Sequence, residues 1–319
     1  MAETPLFGIN LPWFDGAYGH DLAPNELHPT WGCDFVALRA YRPLVQAAAL
    51  GFSAVRVWLC ESGEGIVTEN GLPARPHAQL LENIAVLQES ARLLGLRIYW
   101  TLLDGNSWKR EADSLSHRIL GDADTCARFA DAVAAPLVHA LDPALTVGVE
   151  VVNEPEALSP SCIKAGESVS WEVLARSIRR IGDAVRGARP GVRVTSGTAH
   201  FYLSQLFAEG PGLDAVDVHV YHDTGGLPSR EELAEAVGDR RILDGSVPLI
   251  AGECGIPDEA PEEARIRVVN YLFNARTLGY EAAFLWGLEP FISTTNARHA
   301  FSGLGVRVKN VIAQVYAER

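Results

Sequence analysis

Short apolar runs, rich in β-branched and aromatic residues, alternate along the chain with longer amphipathic segments that are rich in alanine. Eight strands are predicted from the apolar runs: Phe7–Trp13, Ala54–Leu59, Arg97–Asp104, Thr146–Asn153, Arg193–Thr198, Ala215–Tyr221, Pro248–Cys254 and Ala282–Trp286. A helix is predicted after each strand, at about 40–50, 77–94, 122–139, 171–188, 202–208, 230–238, 261–278 and 306–317. This alternation indicates an α/β fold, a closed (β/α)8 TIM barrel, with an open doubly wound sheet of fewer strands as the alternative.

The connections between these elements differ in length at the two ends of the predicted barrel. Segments that lead from a strand to the next helix are long, namely 14–38, 60–76, 105–121, 154–170 and 287–305, whereas the returns are short and contain glycine. Barrel enzymes carry their chemistry at the C-terminal ends of the strands, where these long loops lie. We therefore expect the functional site there. No repeat or linker divides the chain, so a single domain over 1–319 is predicted.

Two of the predicted strands end in a glutamate. The fourth strand ends in Val-Glu-Val-Val-Asn153-Glu154-Pro155, and the seventh in Pro-Leu-Ile-Ala-Gly-Glu253. A charged group at the end of an apolar strand is costly to bury unless it is paired or functional. Cleavage of a glycosidic bond needs two carboxyl groups beside that bond, one to protonate the leaving group and one to attack. Because both strands open into the same mouth, we expect the two carboxyls about 5–5.5 Å apart, the retaining spacing.

These strand ends resemble those of the clan A glycoside hydrolases, and most closely those of glycoside hydrolase family 5. Asn153 and Glu154 match the asparagine and the acid/base glutamate at the end of strand 4, and Glu253 matches the nucleophile at the end of strand 7. Further matches are the strand 2 arginine at Arg56, the His-x-Tyr pair of strand 6 at His219-Val220-Tyr221, and the strand 8 tryptophan at Trp286. The matched residues follow the family's order over nearly the whole barrel.

The resemblance implies a retaining β-glycosidase that acts on β-glucosides or β-mannosides by double displacement, without a metal or an organic cofactor. Glu253 would be the nucleophile, with its pKa lowered by Arg56 and its carboxylate oriented by Tyr221. Glu154 would be the acid/base, kept protonated in a dry wall near Glu253. His219 would hydrogen-bond within the same cluster.

One position departs from the family. Where the family has a histidine at the end of strand 3, this chain has Asp104-Gly105-Asn106, which leaves the exact family open. Asp104 and Asn106 are candidate partners for sugar hydroxyls, and further candidates are Asp15, His222 and Glu289. A zinc site at His219 and His222 is disfavoured, because residues three apart on a strand point to opposite faces.

Several tryptophans lie near the predicted strand ends, where flat aromatic faces could stack on sugar rings. Trp13, Trp108 and Trp286 are the candidates for sugar contacts, with Trp286 as the floor of the subsite. Trp100 is predicted to be core, and Trp31 and Trp58 fit either role.

Composition restricts the partners. The chain has 319 residues, 48% of them hydrophobic, and a net charge of −13 with scattered acidic groups. Such a surface repels nucleic acid and anionic membranes, so neither is an expected partner, whereas neutral sugars are indifferent to the charge. The carbohydrate substrate is what the resemblance to family 5 implies, and the oligomeric state is not indicated. No basic region followed by an apolar run begins the sequence. We expect a cytoplasmic location for the chain as given, or secretion if a signal peptide was removed.

The expected compartment favours soluble oligosaccharides or small glycosides as substrates. Two alternatives keep the same catalytic site: an endo-acting β-glucanase or mannanase, and a transglycosylase. A third alternative, from another functional class, is a non-catalytic barrel that binds glycans.

Overall fold

The computed structural model describes residues 5–14, 19–28, 32–109, 115–164, 167–221, 225–255 and 261–286, together with Ile312; the side chains of 108, 109 and 261–265 are not described. The strands are β1 (Leu6–Leu11), β2 (Ala54–Trp58), β3 (Ile66–Glu69), β4 (Leu72–Pro76), β5 (Arg97–Asp104), β6 (Thr146–Asn153), β7 (Val194–Thr195), β8 (Thr198–Ala199), β9 (Val216–Val220), β10 (Leu249–Cys254) and β11 (Ala282–Leu285). The α-helices are α1 (Ala37–Ala49), α2 (Ala78–Leu94), α3 (Leu115–Gly121), α4 (Ala123–Phe129), α5 (Ala135–Ala140), α6 (Trp171–Ala188), α7 (Leu203–Ala208), α8 (Arg230–Val237) and α9 (Pro261–Thr277). Short 3-10 turns lie at Glu61–Gly63, Gly105–Lys109, Pro155–Leu158, His200–Tyr202 and Arg240–Ile242, and a π-helical turn, Ala130–Ala134, joins α4 to α5.

The main sheet closes on itself. Its order is β7-β6-β5-β2-β1-β11-β10-β9-β8, and each neighbouring pair is parallel. Only Ser196 and Gly197 separate β7 from β8, so both ends of this order belong to one interrupted strand. The ring therefore has eight strands, which confirms the predicted (β/α)8 TIM barrel.

The segment 60–76, expected to be a loop, contains an antiparallel hairpin of β3 and β4. Its two-residue turn is Asn70-Gly71, with φ of 53° and 75°. An Asn-Gly pair accepts positive φ at both central positions, as the tight turn between paired strands requires. The segment is a long connection from β2 to α2, as predicted, and Asn-Gly marks a hairpin within it that was not predicted. The segment 105–121 likewise contains α3, and the helix expected at 306–317 lies outside the described residues except for Ile312.

Helices α6 and α8 begin at residues that are typical of helix caps. Ser170 caps α6 by accepting a hydrogen bond from the Val173 amide, and the buried residues of this helix recur every three or four positions. Ser229 and Glu232 form a reciprocal capping box at the start of α8, and Gly238 ends that helix with φ of 74°. Among the described helices, none is long and apolar enough to cross a membrane.

The interior of the barrel changes character along its axis. Near the N-terminal ends of the strands, small and aromatic residues form an apolar cluster: Ala54, Tyr99, Val147, Ala215, Ile250, Ala282 and Phe284. Toward the C-terminal ends the buried side chains are charged or polar: Arg56, Glu150, Asp217, His219 and Glu253. Buried charges must be paired and hydrogen-bonded to be tolerated. The charged layer therefore marks the mouth of the barrel as the place to expect a functional site.

Candidate active site

Arg56, on β2, lies at the centre of the charged layer and is fully buried. Its Nη1 donates to Glu253 Oε1 at 2.8 Å, and its Nη2 donates to Glu150 Oε2 at 2.6 Å. Two amide oxygens, Asn10 Oδ1 at 2.9 Å and Asn153 Oδ1 at 2.7 Å, accept further hydrogen bonds. One guanidinium thus holds two carboxylates and two amides, a geometry that the planar fork of arginine suits.

Glu253, on β10, is held on both of its oxygens. Its side chain is only 4% exposed; Oε1 accepts from Arg56, and Oε2 accepts from Tyr221 Oη at 2.6 Å. Burial raises the pKa of Glu253, and the positive charges of His219 and Arg56 offset this only in part. Arg56 lowers the pKa of Glu253, as expected, but desolvation outweighs this effect, so the net pKa lies above the ordinary value.

Tyr221 follows β9 and lies across the residues after Glu253. A Cβ atom at Gly255 would stand only 1.8 Å from the Tyr221 ring. The glycine therefore leaves the space in which the ring lies against the backbone after β10. In this position the Tyr221 hydroxyl reaches Glu253 Oε2.

Glu154, directly after β6, has an unusual backbone. Its φ of 46° and ψ of 60° are left-handed, which costs roughly 1–3 kcal/mol for a residue other than glycine. The residue is held there because its N–H donates to the Gly197 carbonyl at 2.8 Å, and Pro155 follows it. Its side chain is 25% exposed, so the wall around it is more open than the dry wall expected from sequence.

The Glu154 carboxyl has contacts on both oxygens. Asn106 Nδ2 donates to Oε2 at 2.7 Å, and His219 Nδ1 lies 3.2 Å from Oε1. The same His219 nitrogen is 3.7 Å from Glu253 Oε1. One atom from each of these three side chains lies within 4.8 Å of the other two. One oxygen of each glutamate is therefore within 4.8 Å of an oxygen of the other, so the two carboxyls face each other across the same space.

His219 is buried between the two glutamates. Burial alone would lower its pKa, but the charge of Glu253 and the hydrogen bond with Glu154 raise the pKa to about 9. The imidazole is therefore mainly protonated at neutral pH. As a cation between two carboxylates it reduces their mutual repulsion.

A deeper pair of carboxylates, Glu150 and Asp217, was not predicted from the sequence. Glu150 accepts from Arg56, from Thr101 Oγ1 at 2.6 Å and from the Gly197 amide at 2.9 Å. Asp217 accepts from the Gly252 amide at 2.9 Å and from Tyr99 Oη, and burial raises its pKa to about 6. A single charge inside an apolar strand was the available signal, the same signal that identified Glu253.

Within the part of the chain that the structure describes, two groups of side chains have ligand atoms close enough to share a cation: Glu150, Asp217 and His219, and Glu154, His219 and Glu253. In both groups the carboxylates already accept hydrogen bonds from the surrounding protein. Arg56 and the protonated His219 supply positive charge between them. These side chains therefore form a connected network of hydrogen bonds in which the negative carboxylates alternate with positive groups.

The end of β5 supports β6. Asp104 Oδ1 accepts from Asn153 Nδ2 at 2.9 Å and from the Asn106 amide at 3.0 Å. The register that pairs Asp104 with Asn153 brings these side chains together. Of the two candidates for sugar hydroxyls in this region, Asn106 thus contacts the predicted catalytic residue Glu154, whereas Asp104 contacts Asn153.

The aromatic candidates have different environments. Trp286 is partly exposed after β11, and its ring meets that of Trp58 edge to face at 5.9 Å. Trp58 is buried and lies beneath the Arg56 guanidinium, 4.1 Å from its Cζ. Trp13 is buried, and its Nε1 donates to Glu61 Oε2 at 2.6 Å, whereas Trp100 belongs to the core as predicted. The remaining candidates lie outside the described residues: the side chain of Trp108, and Asp15, Trp31, His222 and Glu289.

Comparison with known proteins places this geometry on a known barrel. No family model and no curated protein sequence matches the chain. Among solved structures, an endo-1,4-β-mannanase from Eisenia fetida has a TM-score of 0.69 at 19% identity, over 97% of this chain and 91% of the other. The chain has the fold of that enzyme.

Two further structures have the same fold. The GH5_18 protein from Streptomyces cattleya, in complex with GlcNAc, has a TM-score of 0.73 at 18% identity, over 100% of this chain and 82% of the other. The exo-β-1,4-mannosidase Op5Man5 from Opitutaceae bacterium strain TAV5 has a TM-score of 0.69 at 17% identity, over 99% of this chain and 60% of the other. These likenesses agree with the barrel that the resemblance to family 5 implied.

Proposed function

We propose that this protein is a retaining β-glycosidase that hydrolyses β-mannosides or β-glucosides. The observation that carries the proposal is the pair of glutamates at the barrel mouth, with His219 and one oxygen of each carboxyl within 4.8 Å of one another. One carboxylate is buried against Arg56, and the other is partly open to solvent. Retaining hydrolysis needs these two environments, because one group attacks while the other exchanges protons.

The reaction proceeds in two steps. Glu253 attacks the anomeric carbon while Glu154 gives a proton to the glycosidic oxygen, so the aglycone leaves as an alcohol and a covalent glycosyl-enzyme forms. Glu154, now a carboxylate, takes a proton from water as that water attacks the same carbon. The bond to Glu253 breaks, and the product keeps the β configuration. Arg56 and Tyr221 stabilise the Glu253 carboxylate before attack and after release.

Proton NMR of the first product tests the stereochemistry. Hydrolysis of an aryl β-glycoside should give the β anomer before mutarotation, whereas an initial α anomer would exclude double displacement. Glu253→Gln, which preserves side-chain size, serves as the inactive control. Binding of the sugar without any turnover would instead favour a non-catalytic glycan-binding barrel.

Between β-mannosides and β-glucosides we propose a preference for mannosides, because several of the similar solved structures are named β-mannanases or mannosidases. Mannosides differ from glucosides in the orientation of the hydroxyl at C2. A set of aryl β-glycosides that differ only at C2 and C4 measures this preference directly. We expect the highest kcat/KM for the manno substrate, and a higher value for the gluco substrate would reverse the assignment.

We further propose that the substrates are soluble oligosaccharides or small glycosides. The second candidate is an endo-acting mannanase, because several similar structures carry that name. Comparing a disaccharide with a long soluble mannan separates the two. A rapid fall in viscosity with little free monosaccharide would support the endo-acting enzyme, and transfer products with added sugar acceptors would indicate a transglycosylase.

A further inference from the structure

The turn after β5 packs closely against the backbone of Glu154. A Cβ atom at Gly105 would stand 2.2 Å from the Glu154 carbonyl oxygen, so only glycine allows this approach. The following residue, Asn106, is fixed at its amide by Asp104 Oδ1 at 3.0 Å. Its side chain then donates from Nδ2 to Glu154 Oε2 at 2.7 Å. This contact lies where the sequence departs from the family 5 pattern.

The direction of this hydrogen bond has a chemical consequence. A carboxylate accepts from an amide N–H, whereas a protonated carboxyl oxygen has to donate its own proton. Donation from Asn106 therefore favours the ionised form of Glu154 over the protonated one. The other carboxyl oxygen faces His219 Nδ1 at 3.2 Å, which acts in the same sense.

We propose that Asn106 is a positioning residue that holds Glu154 as a carboxylate, the form that activates water in the second step, rather than a ligand for a sugar hydroxyl. This inference rests on the proposed function. Asn106 acts through Glu154: it aims the carboxyl and sets the pH above which Glu154 no longer serves as an acid. The chain thereby favours release of the glycosyl-enzyme over its formation at high pH.

The pH dependence of turnover by Asn106→Ala tests this role. For a substrate with a poor leaving group, the alkaline limb of kcat/KM should move up by about 0.5–1 pH unit, the size expected for one hydrogen bond. Asn106→Asp places a negative charge at the same position and should move the limb further in the same direction. For a 2,4-dinitrophenyl glycoside, whose departure needs no acid, kcat at pH values below the titration of Glu154 should fall about 3–10-fold in the alanine variant, since less of Glu154 is then the carboxylate that activates water.

A matched control is Gln205→Ala, which removes an amide from an exposed position on α7. This variant should keep the wild-type pH profile. If Asn106 instead binds a sugar hydroxyl, Asn106→Ala will raise KM at every pH and leave the alkaline limb unmoved. That result would overturn the proposal.

A titration that does not require turnover separates this inference from the proposed function. Carbon-13 NMR of labelled glutamate, with Glu154→Gln identifying the resonance, should show Glu154 losing its proton at a higher pH in Asn106→Ala than in the wild type. An unchanged titration would refute the role of Asn106 even in an active enzyme. A shifted titration in a protein without glycosidase activity would refute only the function.

Discussion

The two glutamates of the barrel mouth have opposite surroundings. Glu253 lies within β10, just after an irregularity in the pairing of that strand, is almost fully buried, and meets a permanent cation on one oxygen and a phenol on the other. Glu154 occupies a left-handed turn, is partly exposed, and meets an amide and an ionisable imidazole. The difference separates a group that must stay charged and in place from one that must exchange protons with water.

The energetic cost of burying a charge explains why Glu253 is buried and Glu154 is partly exposed. A buried carboxylate is tolerated beside Arg56 because the guanidinium stays charged at every working pH. Glu154 is partly exposed to solvent and meets the ionisable His219, so its charge can change without leaving an isolated buried ion. The left-handed backbone at Glu154 also turns the chain at the strand end, which brings its side chain toward Asn106.

The largest effect is expected from replacing Glu253, and it distinguishes the nucleophile from the acid/base. Glu253→Ala should reduce kcat by a factor on the order of 10⁴ or more for every substrate, because no other group can form the covalent intermediate. Added azide should restore turnover and give the α-glycosyl azide, identified by proton NMR. Recovery of the β azide would show that the two roles are reversed.

Glu154→Ala should have a smaller effect that depends on the substrate. Loss of the general acid should lower kcat/KM by about 10²–10⁴-fold for poor leaving groups, and much less for 2,4-dinitrophenyl glycosides. Azide should here give the β-glycosyl azide. The measurement is a plot of log kcat/KM against leaving-group pKa, and a slope no steeper than that of the wild type would contradict the assignment.

Tyr221→Phe should affect Glu253 and leave Glu154 unchanged. Removing the donor to Glu253 Oε2 should lower kcat/KM by about 10–100-fold, as for a hydrogen bond to a charged group. This bond lowers the pKa of Glu253 against the effect of burial, so its loss should move the acid limb of the pH profile to higher pH. Movement of the alkaline limb instead would connect Tyr221 to Glu154.

His219 contacts both glutamates and should give the smallest effect, on stability. Its folded pKa of about 9 lies above the ordinary value of 6.5, so the stabilisation is complete below pH 6.5 and is lost as pH rises through 9. We expect the midpoint of thermal unfolding to fall by a few degrees over this range, in the direction that this shift sets. In His219→Gln this fall should be reduced, and an equal fall in both proteins would exclude His219 as its cause.

Much of the barrel could be predicted from local pattern. Parallel strands buried on both faces are nearly continuous apolar runs, so β5 and β6 were predicted with their observed bounds. The hairpin within the connection 60–76 was not predicted, because its two strands are short and lie among turn residues, although Asn70-Gly71 marked its turn. A turn signal of two residues is weak beside the long periodic patterns of the neighbouring strand and helix.

The sequence by itself determined the eight-strand alternation and the glutamates at two strand ends, because apolar periodicity and a charge that breaks it are local properties of the chain. Only the tertiary structure decided which groups those carboxylates meet. Asn106 and Glu154 are 48 positions apart, and Arg56 and Glu253 are 197 apart. Strand register and barrel closure bring them together, and the desolvation that raises the pKa of Glu253 exists only once the ring has closed.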